Sequence, residues 1–386
     1  MTIMKKALYC GSFDPFTLGH LNVIEQALNY SCAHYHTLEK IYICIGDNEN
    51  KTPLFSKDER AKMIKDFFNN HRLQNNVEVI TYQGLTVNLA YQLGVNYLIR
   101  GVKKNDEASK NEELKLSRIN EKLAKTLGFK LETLIFETKT DIMGCVSSSL
   151  VKTLCSIEEY ITVADMVPAN VHEELMCHYL KPRFINLFHQ GCRSVAESYW
   201  VELVSAYHGR PYHNLSHLGF MFNLYNRYKA IKNIKKTNID VELAIFAHDI
   251  VYTPGAQDNE LKSAQQALSW YGTKYSSKSL DILTNLILAT KPETNPATED
   301  EAIVKDLDLS ILGSFSQNIF KNYSSGIRQE YSSYSKEEYI EKRTAFINSL
   351  LSSKHIFNTE FFFSCFENQA RENLKQELFS FRYLKK

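Results

Sequence analysis

The sequence predicts two domains: an α/β domain over residues 1–180, built on a parallel sheet, and an all-α domain over residues 183–386. Three observations predict this organisation. The length of 386 residues exceeds the roughly 250–300 residues that one hydrophobic core usually serves. The first part alternates β-rich runs with helical stretches, which is typical of a parallel sheet covered on both faces. The second part shows only the helical spacing of apolar residues.

In the N-terminal domain, strands are predicted where β-branched and aromatic residues cluster, at residues 40–46, 77–80 and 97–99. Ser56 and Glu59 form a capping-box pattern between the first two of these strands. The pattern predicts a helix that begins after Ser56 and runs through Phe68.

In the C-terminal domain, apolar residues recur at helical spacing in five segments, at residues 194–208, 215–231, 240–252, 260–275 and 278–290. Strand patterns are absent from this part of the sequence. The join between the domains is placed near Lys181 and Pro182, because proline discourages a continuing helix.

Composition excludes several classes of protein. Lys and Arg total 45 and Asp and Glu total 44, so the formal net charge is +1 and no nucleic-acid partner is expected. No apolar run approaches the roughly 18 residues of a membrane span, and no signal-peptide core is present. Eight cysteines without a CxxC pair are typical of reduced thiols. We therefore expect a cytoplasmic protein without a membrane partner.

The segment from Gly11 to His20 follows the first predicted strand and opens the first helix. Its small residues allow the backbone to approach a phosphate, and the free N–H groups of a helix start favour negative charge. His20 could donate to a phosphate oxygen and stabilise charge that develops during transfer. The alternative is an ordinary strand–helix turn with a solvent-facing histidine.

Three further segments favour a phosphate site. Arg100 and Gly101 end a strand, where α/β folds place ligand groups. Ser147 and its neighbours precede a helix and offer hydroxyls and N–H groups to a second phosphate. Lys51 lies in a polar loop after the second strand, although an exposed lysine is usually a solvated surface residue.

Together, and in this order, these segments resemble the phosphopantetheine adenylyltransferases of the HxGH nucleotidyltransferase superfamily, over residues 5–178. The connecting text at 52–60 and 167–172 shares the resemblance. It implies a Rossmann-like fold, a homo-oligomer, and transfer of the adenylyl group of ATP to 4′-phosphopantetheine with Mg²⁺. The products would be dephospho-CoA and pyrophosphate, formed by in-line attack of the pantetheine phosphate on the α-phosphate.

Carried over by position, the resemblance implies three catalytic residues, Ser12, His20 and Arg100. It implies that phosphopantetheine is held by Ser12, Lys51, Thr86 and Arg100. It implies that ATP is bound by Ser12, Phe13, His20, Gly101, Val102, Lys103, Glu113, Met143, Gly144, Cys145, Val146, Ser147, Ser148 and Ser149. Thr17 completes the T-x-G-H variant of the signature.

The sequence departs from the family at three positions. Lys103 stands where the family usually has Arg, which removes a bidentate phosphate contact. Met143 replaces a usual aromatic residue near adenine, and Thr52 replaces a second lysine. These departures leave open an alternative in which the transferase uses another phosphate acceptor or nucleotide.

The C-terminal domain carries a second set of polar residues that suit metal binding. His213 and His217 are four residues apart, which places them on one helical face if the helix has begun by then. The dipeptide His248-Asp249 falls in an apolar helical segment, where burial is costly unless a metal or a partner compensates. Asp306 and Asp308 form a further acidic pair, and either could supply the last ligand.

This order of residues resembles the HD superfamily of metal-dependent phosphohydrolases, over residues 184–380, and the local text is similar to cyclic-nucleotide phosphodiesterases. The resemblance implies an all-α helical bundle that hydrolyses an unidentified phosphate ester or nucleotide. His213 would be the general acid that protonates the leaving oxygen. The metal, Mn²⁺, Fe²⁺, Zn²⁺ or Mg²⁺, would be held by His217, His248, Asp249 and Asp308.

Other polar residues of this domain remain open. Asn259 either orients a metal-bound water or caps the turn at Pro254 and Gly255. Three cationic residues are candidates for binding phosphate: Arg210, Lys291 and Arg328. Alternatively, each is a solvated surface charge. A non-enzymatic alternative makes the C-terminal domain a regulatory module that binds a metal or a ligand.

Overall fold

A computed structural model describes residues 5–33, 38–46, 52–103, 106–138, 146–188, 193–271 and 277–384 of the protein. The chain divides into two compact units. The N-terminal unit comprises Met1–Ile157 with Thr162–His172, and the helical unit comprises Glu158–Ile161 with Glu173–Lys386. Among the described residues, no helix is both long and apolar enough to cross a membrane.

The N-terminal unit is built on a five-stranded parallel sheet, which confirms the predicted α/β architecture. Its strands, in chain order, are β1 (Lys5–Gly11), β2 (Leu38–Ile45), β3 (Val77–Thr81), β4 (Tyr97–Lys103) and β5 (Glu132–Thr138). Their order across the sheet is β3-β2-β1-β4-β5, and all neighbouring pairs are parallel. The order reverses at β1, so the carboxyl ends of β1 and β4 border the crevice where such sheets bind ligands.

Helices connect the strands and cover the sheet. They are α1 (Leu18–Ala33), α2 (Lys57–Asn69), α3 (Thr86–Gln92), α4 (Glu107–Thr126) and α5 (Ser148–Ser156). The predicted capping box is confirmed, because the Ser56 hydroxyl accepts from the Glu59 N–H while the Glu59 carboxylate accepts from the Ser56 N–H. Separate apolar clusters, one including Ile24, Ile43 and Ile64 and the other Leu8, Val87 and Leu98, are buried around the sheet.

The described part of the chain after residue 173 is entirely helical, as the apolar spacing predicts. Two helices, α6 (Tyr160–Ala164) and α7 (Ala169–Leu187), include residues of both units. The remaining helices are α8 (Arg193–Tyr207), α9 (Leu215–Ile231), α10 (Ile239–Ala247), α11 (Asn259–Tyr271), α12 (Ser277–Leu288), α13 (Glu299–Leu309), a 3-10 turn (Ser310–Gly313), α14 (Gln317–Glu330), α15 (Lys336–Ser352) and α16 (Glu360–Leu384).

The expected helix break at Pro182 is wrong, because α7 continues through this residue to Leu187. Proline lacks one N–H donor, which weakens a helix interior. Burial on either side compensates: Leu180 and Phe184 are both fully buried, and the Phe184 ring packs on Trp200 at a centroid distance of 5.5 Å. The passage between the two units falls at His172, ten residues before the proline.

Candidate functional sites

The loop between β1 and α1 carries the N-terminal candidate site, and a buried arginine fixes its backbone. Arg60 is 1% exposed, and its guanidinium donates from Nη1 to the Ser12 carbonyl at 2.6 Å and from Nε to the Phe55 carbonyl at 3.0 Å. Ser12 itself is exposed at the end of β1. Sequence reasoning assigned no role to Arg60. A charged side chain that is fully buried needs hydrogen-bond or charge partners, and these carbonyls supply them.

A buried carboxylate fixes the other end of this loop. Asp14 accepts from the N–H groups of Leu54 and Phe55 at 2.9–3.1 Å and from Lys152 Nζ at 2.8 Å. Burial alone would raise the pKa of Asp14, but Lys152 and these N–H groups lower it, so the carboxylate stays charged. Asp14 and Lys152 were also missed by the sequence-based prediction.

His20 lies in the first turn of α1 with one ring nitrogen already engaged. The Thr17 N–H donates to His20 Nδ1 at 2.9 Å, so in the neutral ring the proton resides on Nε2. The ring packs between Phe13 and Phe16, at centroid distances of 5.0 and 5.5 Å. This desolvation lowers the pKa of His20 from 6.5 to about 4. His20 is therefore a neutral Nε2–H donor rather than an imidazolium.

The Phe13 side chain is buried beneath the loop after β1. It is only 2% exposed and packs on Tyr9 with ring centroids 5.2 Å apart. A Cβ atom on Gly11 would lie 3.1 Å from the Phe13 ring, so glycine gives the ring its room. The side chain of Phe13 thus belongs to the core beneath this loop.

Arg100 lies at the carboxyl end of β4, beside β1. Its Nη1 donates to the Cys10 carbonyl at 3.1 Å, and its Nε lies 3.3 Å from a Glu113 carboxylate oxygen. Glu113 thus pairs with the predicted phosphate-binding arginine. The adjacent Gly101 approaches α1 so closely that a Cβ atom there would lie 2.8 Å from Val23 Cγ2.

The other residues predicted to bind ATP or phosphopantetheine are distributed between surface and core. Lys103 is exposed, whereas Val102 is 2% exposed and Val146 is 7% exposed. Thr86 is the first residue of α3, and its hydroxyl lies 3.2 Å from the Tyr82 hydroxyl. The remaining candidates Lys51, Met143, Gly144 and Cys145 lie outside the described residues.

Three serines form the start of α5. Ser147 is the N-cap, and its hydroxyl accepts from the Leu150 N–H. The Ser148 hydroxyl donates to the Pro15 carbonyl at 2.8 Å, which joins this helix start to the loop after β1. Ser149 is exposed. Helix α5 therefore brings its N-terminus, which favours anions, beside the loop that carries Ser12.

In the helical unit, four predicted metal ligands lie together. One donor atom from each of His217, His248, Asp249 and Asp308 lies within 4.8 Å of the others. His217 Nε2 is 3.2 Å from both His248 Nε2 and an Asp308 oxygen, and His248 Nε2 is 3.1 Å from an Asp249 oxygen. Both imidazoles are almost fully buried, at 3% and 1% exposure.

The hydrogen bonds of the two imidazoles fit this cluster to a divalent cation. His248 Nδ1 lies 3.0 Å from the Ile245 carbonyl, which can only accept, so Nδ1 carries the proton and Nε2 offers its lone pair to the cluster. His217 Nδ1 contacts the Tyr212 hydroxyl at 3.0 Å. Two imidazoles and two carboxylates form a donor set that Zn²⁺, Mn²⁺ or Fe²⁺ favours.

The structure distinguishes the two acidic candidates on α13. Asp306 is fully buried and accepts hydrogen bonds from the backbone N–H groups of Asn358 and Thr359, at 2.7–3.1 Å. The side chains of both residues donate to it as well. Asp306 therefore joins α13 to the start of α16, and Asp308 is the aspartate that lies in the cluster.

His213 lies beside the cluster but outside the helix, contrary to the expectation of a shared helical face. Helix α9 begins at Leu215 with Asn214 as its N-cap. His213 Nε2 lies 3.8 Å from an Asp249 oxygen, while His213 Nδ1 lies 2.6 Å from a Glu330 oxygen. The same Glu330 carboxylate accepts from the His213 N–H at 2.9 Å. Sequence reasoning assigned no role to Glu330.

Charges around the cluster set the protonation of these groups in the metal-free protein. Burial alone would lower the pKa of His248, but Asp249 and Asp308 raise it to about 9. Burial alone would also lower the pKa of His213, but the carboxylates of Asp249 and Glu330 raise it above its usual value. Burial would raise the pKa of Asp249, but the neighbouring imidazoles keep it well below its usual value.

The remaining polar residues of this unit are engaged with the protein itself. Arg210 donates to the Asp249 and Ile250 carbonyls at 2.6 and 3.0 Å. Arg328 likewise donates to the Tyr331 carbonyl at 2.7 Å. Both arginines therefore hold the backbone in their surroundings.

Two further side chains have local partners. Lys291 Nζ lies 3.2 Å from a Glu293 carboxylate oxygen. Asn259 exchanges two hydrogen bonds of 3.0 Å with the backbone of Thr253, in the loop that precedes Pro254 and Gly255.

Comparison with known proteins finds matches for the N-terminal unit. A family model described as cytidylyltransferase-like matches residues 8–154. A phosphopantetheine adenylyltransferase of Bacteroides thetaiotaomicron is 32% identical over 159 residues, which are 41% of this chain and 93% of the relative. Its counterpart from Gloeobacter violaceus is 34% identical over 45% of this chain and 96% of the relative. The Synechococcus sp. protein of that name is 39% identical over 44% of this chain and 94% of the relative.

Proposed function

Because the chain belongs, through its N-terminal unit, to the phosphopantetheine adenylyltransferase family, we propose that this unit transfers an adenylyl group from ATP to 4′-phosphopantetheine. The products are dephospho-CoA and pyrophosphate. The observation that carries the proposal is the crevice at the carboxyl ends of β1 and β4, where Ser12, His20 and Arg100 lie on adjacent elements. Mg²⁺ enters as the partner of ATP.

Each of these groups can act on phosphate without a covalent intermediate. The acceptor phosphate oxygen forms a bond to the α-phosphorus of ATP, the bond from that phosphorus to the bridging oxygen breaks, and pyrophosphate leaves. His20 donates from Nε2 to the phosphate that gains negative charge, because its Nδ1 is fixed by Thr17. Arg100 and the N-terminus of α5 supply positive potential on the other sides.

Pyrophosphate release from ATP and 4′-phosphopantetheine tests this proposal. We expect the full-length protein to be active and His20→Gln to lose about 100-fold or more in kcat, as happens when one transition-state donor is removed. His355→Gln, an exposed histidine of the helical unit, is the matched control. Release with another acceptor but none with 4′-phosphopantetheine would favour the alternative of a retuned transferase, and no release with any acceptor would contradict both.

A second proposal concerns the helical unit, which we infer to be a metal-dependent phosphohydrolase of the HD type. The convergence of His217, His248, Asp249 and Asp308 supports it. So does His213, an imidazole next to the cluster whose position a purely structural metal does not need. A divalent ion held by the four residues would supply Lewis-acid activation of water and of the substrate phosphate.

The protein groups around the cluster have distinct roles in such a reaction. As an imidazolium, His213 donates its Nδ1–H to Glu330 and carries its second proton on Nε2, which faces the cluster. It is therefore placed to protonate the leaving oxygen of an ester. Tyr212 and the Ile245 carbonyl hold the two buried imidazoles in the orientation that keeps their Nε2 atoms in the cluster.

Metal content and phosphate release separate this proposal from a regulatory role. We expect wild type to bind Mn²⁺ and hydrolyse phosphate esters, His248→Ala to lose the metal, and His213→Gln to keep the metal while losing hydrolysis. Asp249→Asn should leave pyrophosphate release by the N-terminal unit intact. If His213→Gln changes no hydrolysis of any tested ester, the regulatory alternative is favoured.

A further inference from the structure

A cavity of about 300 Å³ opens beside the metal cluster of the helical unit. Its lining includes His213, Asp249 and Asp308, together with many aromatic side chains. These rings, which we call the tyrosine wall, are Tyr252, Tyr323, Tyr331, Tyr334, Tyr339 and Phe346. A phosphate held at the cluster would therefore place the organic part of its ester against the tyrosine wall.

The rings of the tyrosine wall are held by contacts with one another and with neighbouring segments. The Tyr252 ring packs on the His213 ring at a centroid distance of 4.0 Å, next to the reacting end. Tyr331 and Tyr334 form an edge-to-face pair at 5.3 Å. A Cβ atom on Gly255, whose φ is +83°, would lie 2.2 Å from the Tyr334 hydroxyl, so only glycine lets this ring close over the loop after the HD dipeptide.

Cations of the protein already occupy faces of three of these rings. Lys342 lies 5.1 Å from the centroid of Tyr334, Arg343 lies 5.2 Å from that of Tyr323, and Arg328 lies 4.9 Å from that of Tyr339. Aromatic faces attract cations through the ring quadrupole. Here that attraction is partly satisfied by cations of the protein, which leaves these ring faces less available to a cationic ligand such as a quaternary ammonium group.

The size of the cavity limits the ligand further. A volume of about 300 Å³ is at the lower end of the roughly 300–1,000 Å³ of small-molecule sites. It suits one ring system with a sugar or a similar linker. A molecule as long as coenzyme A would leave most of its length outside.

We infer that the helical unit takes a compact phosphate ester whose organic part carries a neutral planar ring, about the size of a mononucleotide. This inference rests on the proposed phosphohydrolase function and specifies its substrate. In the reaction the oxygen of water bonds to phosphorus, and the ester P–O bond breaks with its electron pair going to the leaving oxygen. That oxygen takes a proton from His213, and the proton that water loses on bonding to phosphorus restores the proton on His213.

The test compares esters on full-length protein loaded with Mn²⁺. Adenosine 3′-monophosphate carries the ring, glycerol 3-phosphate lacks it, and phosphocholine carries a cation. Coenzyme A presents the same 3′-phosphate on a much longer molecule. We expect the highest kcat/KM for the adenosine ester. Equal kcat/KM for glycerol 3-phosphate, phosphocholine or coenzyme A would overturn the inference.

A variant of the tyrosine wall makes the test specific. Tyr334→Leu should lower the ratio of kcat/KM for adenosine 3′-monophosphate to that for glycerol 3-phosphate by about tenfold, the scale of one lost stacking contact. Tyr334→Phe should restore the ratio. Phe315→Leu, at an exposed ring that does not line the cavity, is the control. An unchanged ratio in Tyr334→Leu would overturn the inference.

Binding distinguishes failure of the inference from failure of the proposed function. If no ester is hydrolysed, calorimetry of adenosine 3′-monophosphate with the Mn²⁺-loaded protein replaces the rate. Binding that Tyr334→Leu weakens about tenfold would keep the ligand assignment while the phosphohydrolase is rejected. Absence of binding, or binding that phosphocholine matches, would overturn the inference.

Discussion

His213 and Glu330 lie 117 residues apart in sequence, yet His213 Nδ1 is 2.6 Å from a Glu330 carboxylate oxygen. Glu330 is the last residue of α14, and its other carboxylate oxygen accepts from the backbone N–H groups of Tyr212 and His213, both at 2.9 Å. One side chain thus fixes both the position and the tautomer of the imidazole. The Nε2 atom of His213 is left facing the metal cluster.

Glu330→Gln should slow ester hydrolysis without removing the metal. The amide of glutamine cannot stabilise a protonated His213 as a carboxylate does, so we expect kcat to fall about 10-fold to 100-fold, the range for residues that orient an active-site imidazole. Metal content measured by mass spectrometry should match wild type. Glu337→Gln, exposed on α15, is the control, and loss of activity in both variants alike would contradict the assigned role.

Asp306→Asn and Asp308→Asn should fail in different ways. Asp308 is 23% exposed in its side chain and contacts the two imidazoles, so its substitution should reduce bound metal while the protein stays folded. Asp306 accepts from two backbone N–H groups just before α16. Its substitution should therefore reduce the free energy of unfolding by about 1–3 kcal/mol and lower the urea midpoint. Metal content and urea unfolding of both variants decide this, and the reverse pattern would contradict it.

The parallel sheet was largely predictable, and its exception has a physical reason. The central strands β2 and β4 contain apolar runs because both faces of a parallel sheet are buried. Strand β5, which the sequence did not indicate, lies at the sheet edge, and Glu132 and Glu137 on it are exposed. Thr133, Leu134 and Ile135 are only partly buried, so the apolar pattern of β5 is weaker.

The candidate sites were predictable where neighbouring residues carry them. His248 and Asp249 are adjacent, and His217 precedes them in a recognisable pattern. The choice between Asp306 and Asp308 was not predictable, because two residues apart on a helix point about 200° apart and the sequence does not say which side faces the cluster. Glu330 and Arg60 were missed because their partners are brought near only by the fold.

The protonation of His20 gives a prediction for pH. Its native pKa of about 4 lies below the usual 6.5, so between these values the unfolded chain takes up a proton that the native protein does not. The native state therefore loses stability as the pH falls through this window. The pH–rate profile of pyrophosphate release should show no change due to His20 between about pH 6 and pH 8, since the ring is neutral throughout.

Histidine-selective NMR measures this titration directly. With the signal assigned by its loss in His20→Asn, we expect a midpoint near pH 4. Protonation of Nδ1 would also remove the acceptor of the Thr17 N–H, so the Thr17 amide should shift with the same midpoint. A midpoint near 6.5 for His20 would mean that its ring is solvated and that the neutral-donor role is wrong.

Arg60→Met should weaken the N-terminal site by releasing the backbone of the loop that carries Ser12. The substitution leaves the Ser12 and Phe55 carbonyls without the donors that Arg60 supplies, and a buried acceptor left unsatisfied costs about 1–3 kcal/mol. We expect a raised KM for ATP and loss of pyrophosphate release at lower urea than in wild type. Arg72→Met is the matched control, because Arg72 is 73% exposed in its side chain and its pair with Glu25 contributes about 0–1 kcal/mol. If the two variants lose activity at the same urea concentration, Arg60 does not hold the loop, and the position of Ser12 must depend on Asp14 and its contacts with Leu54, Phe55 and Lys152.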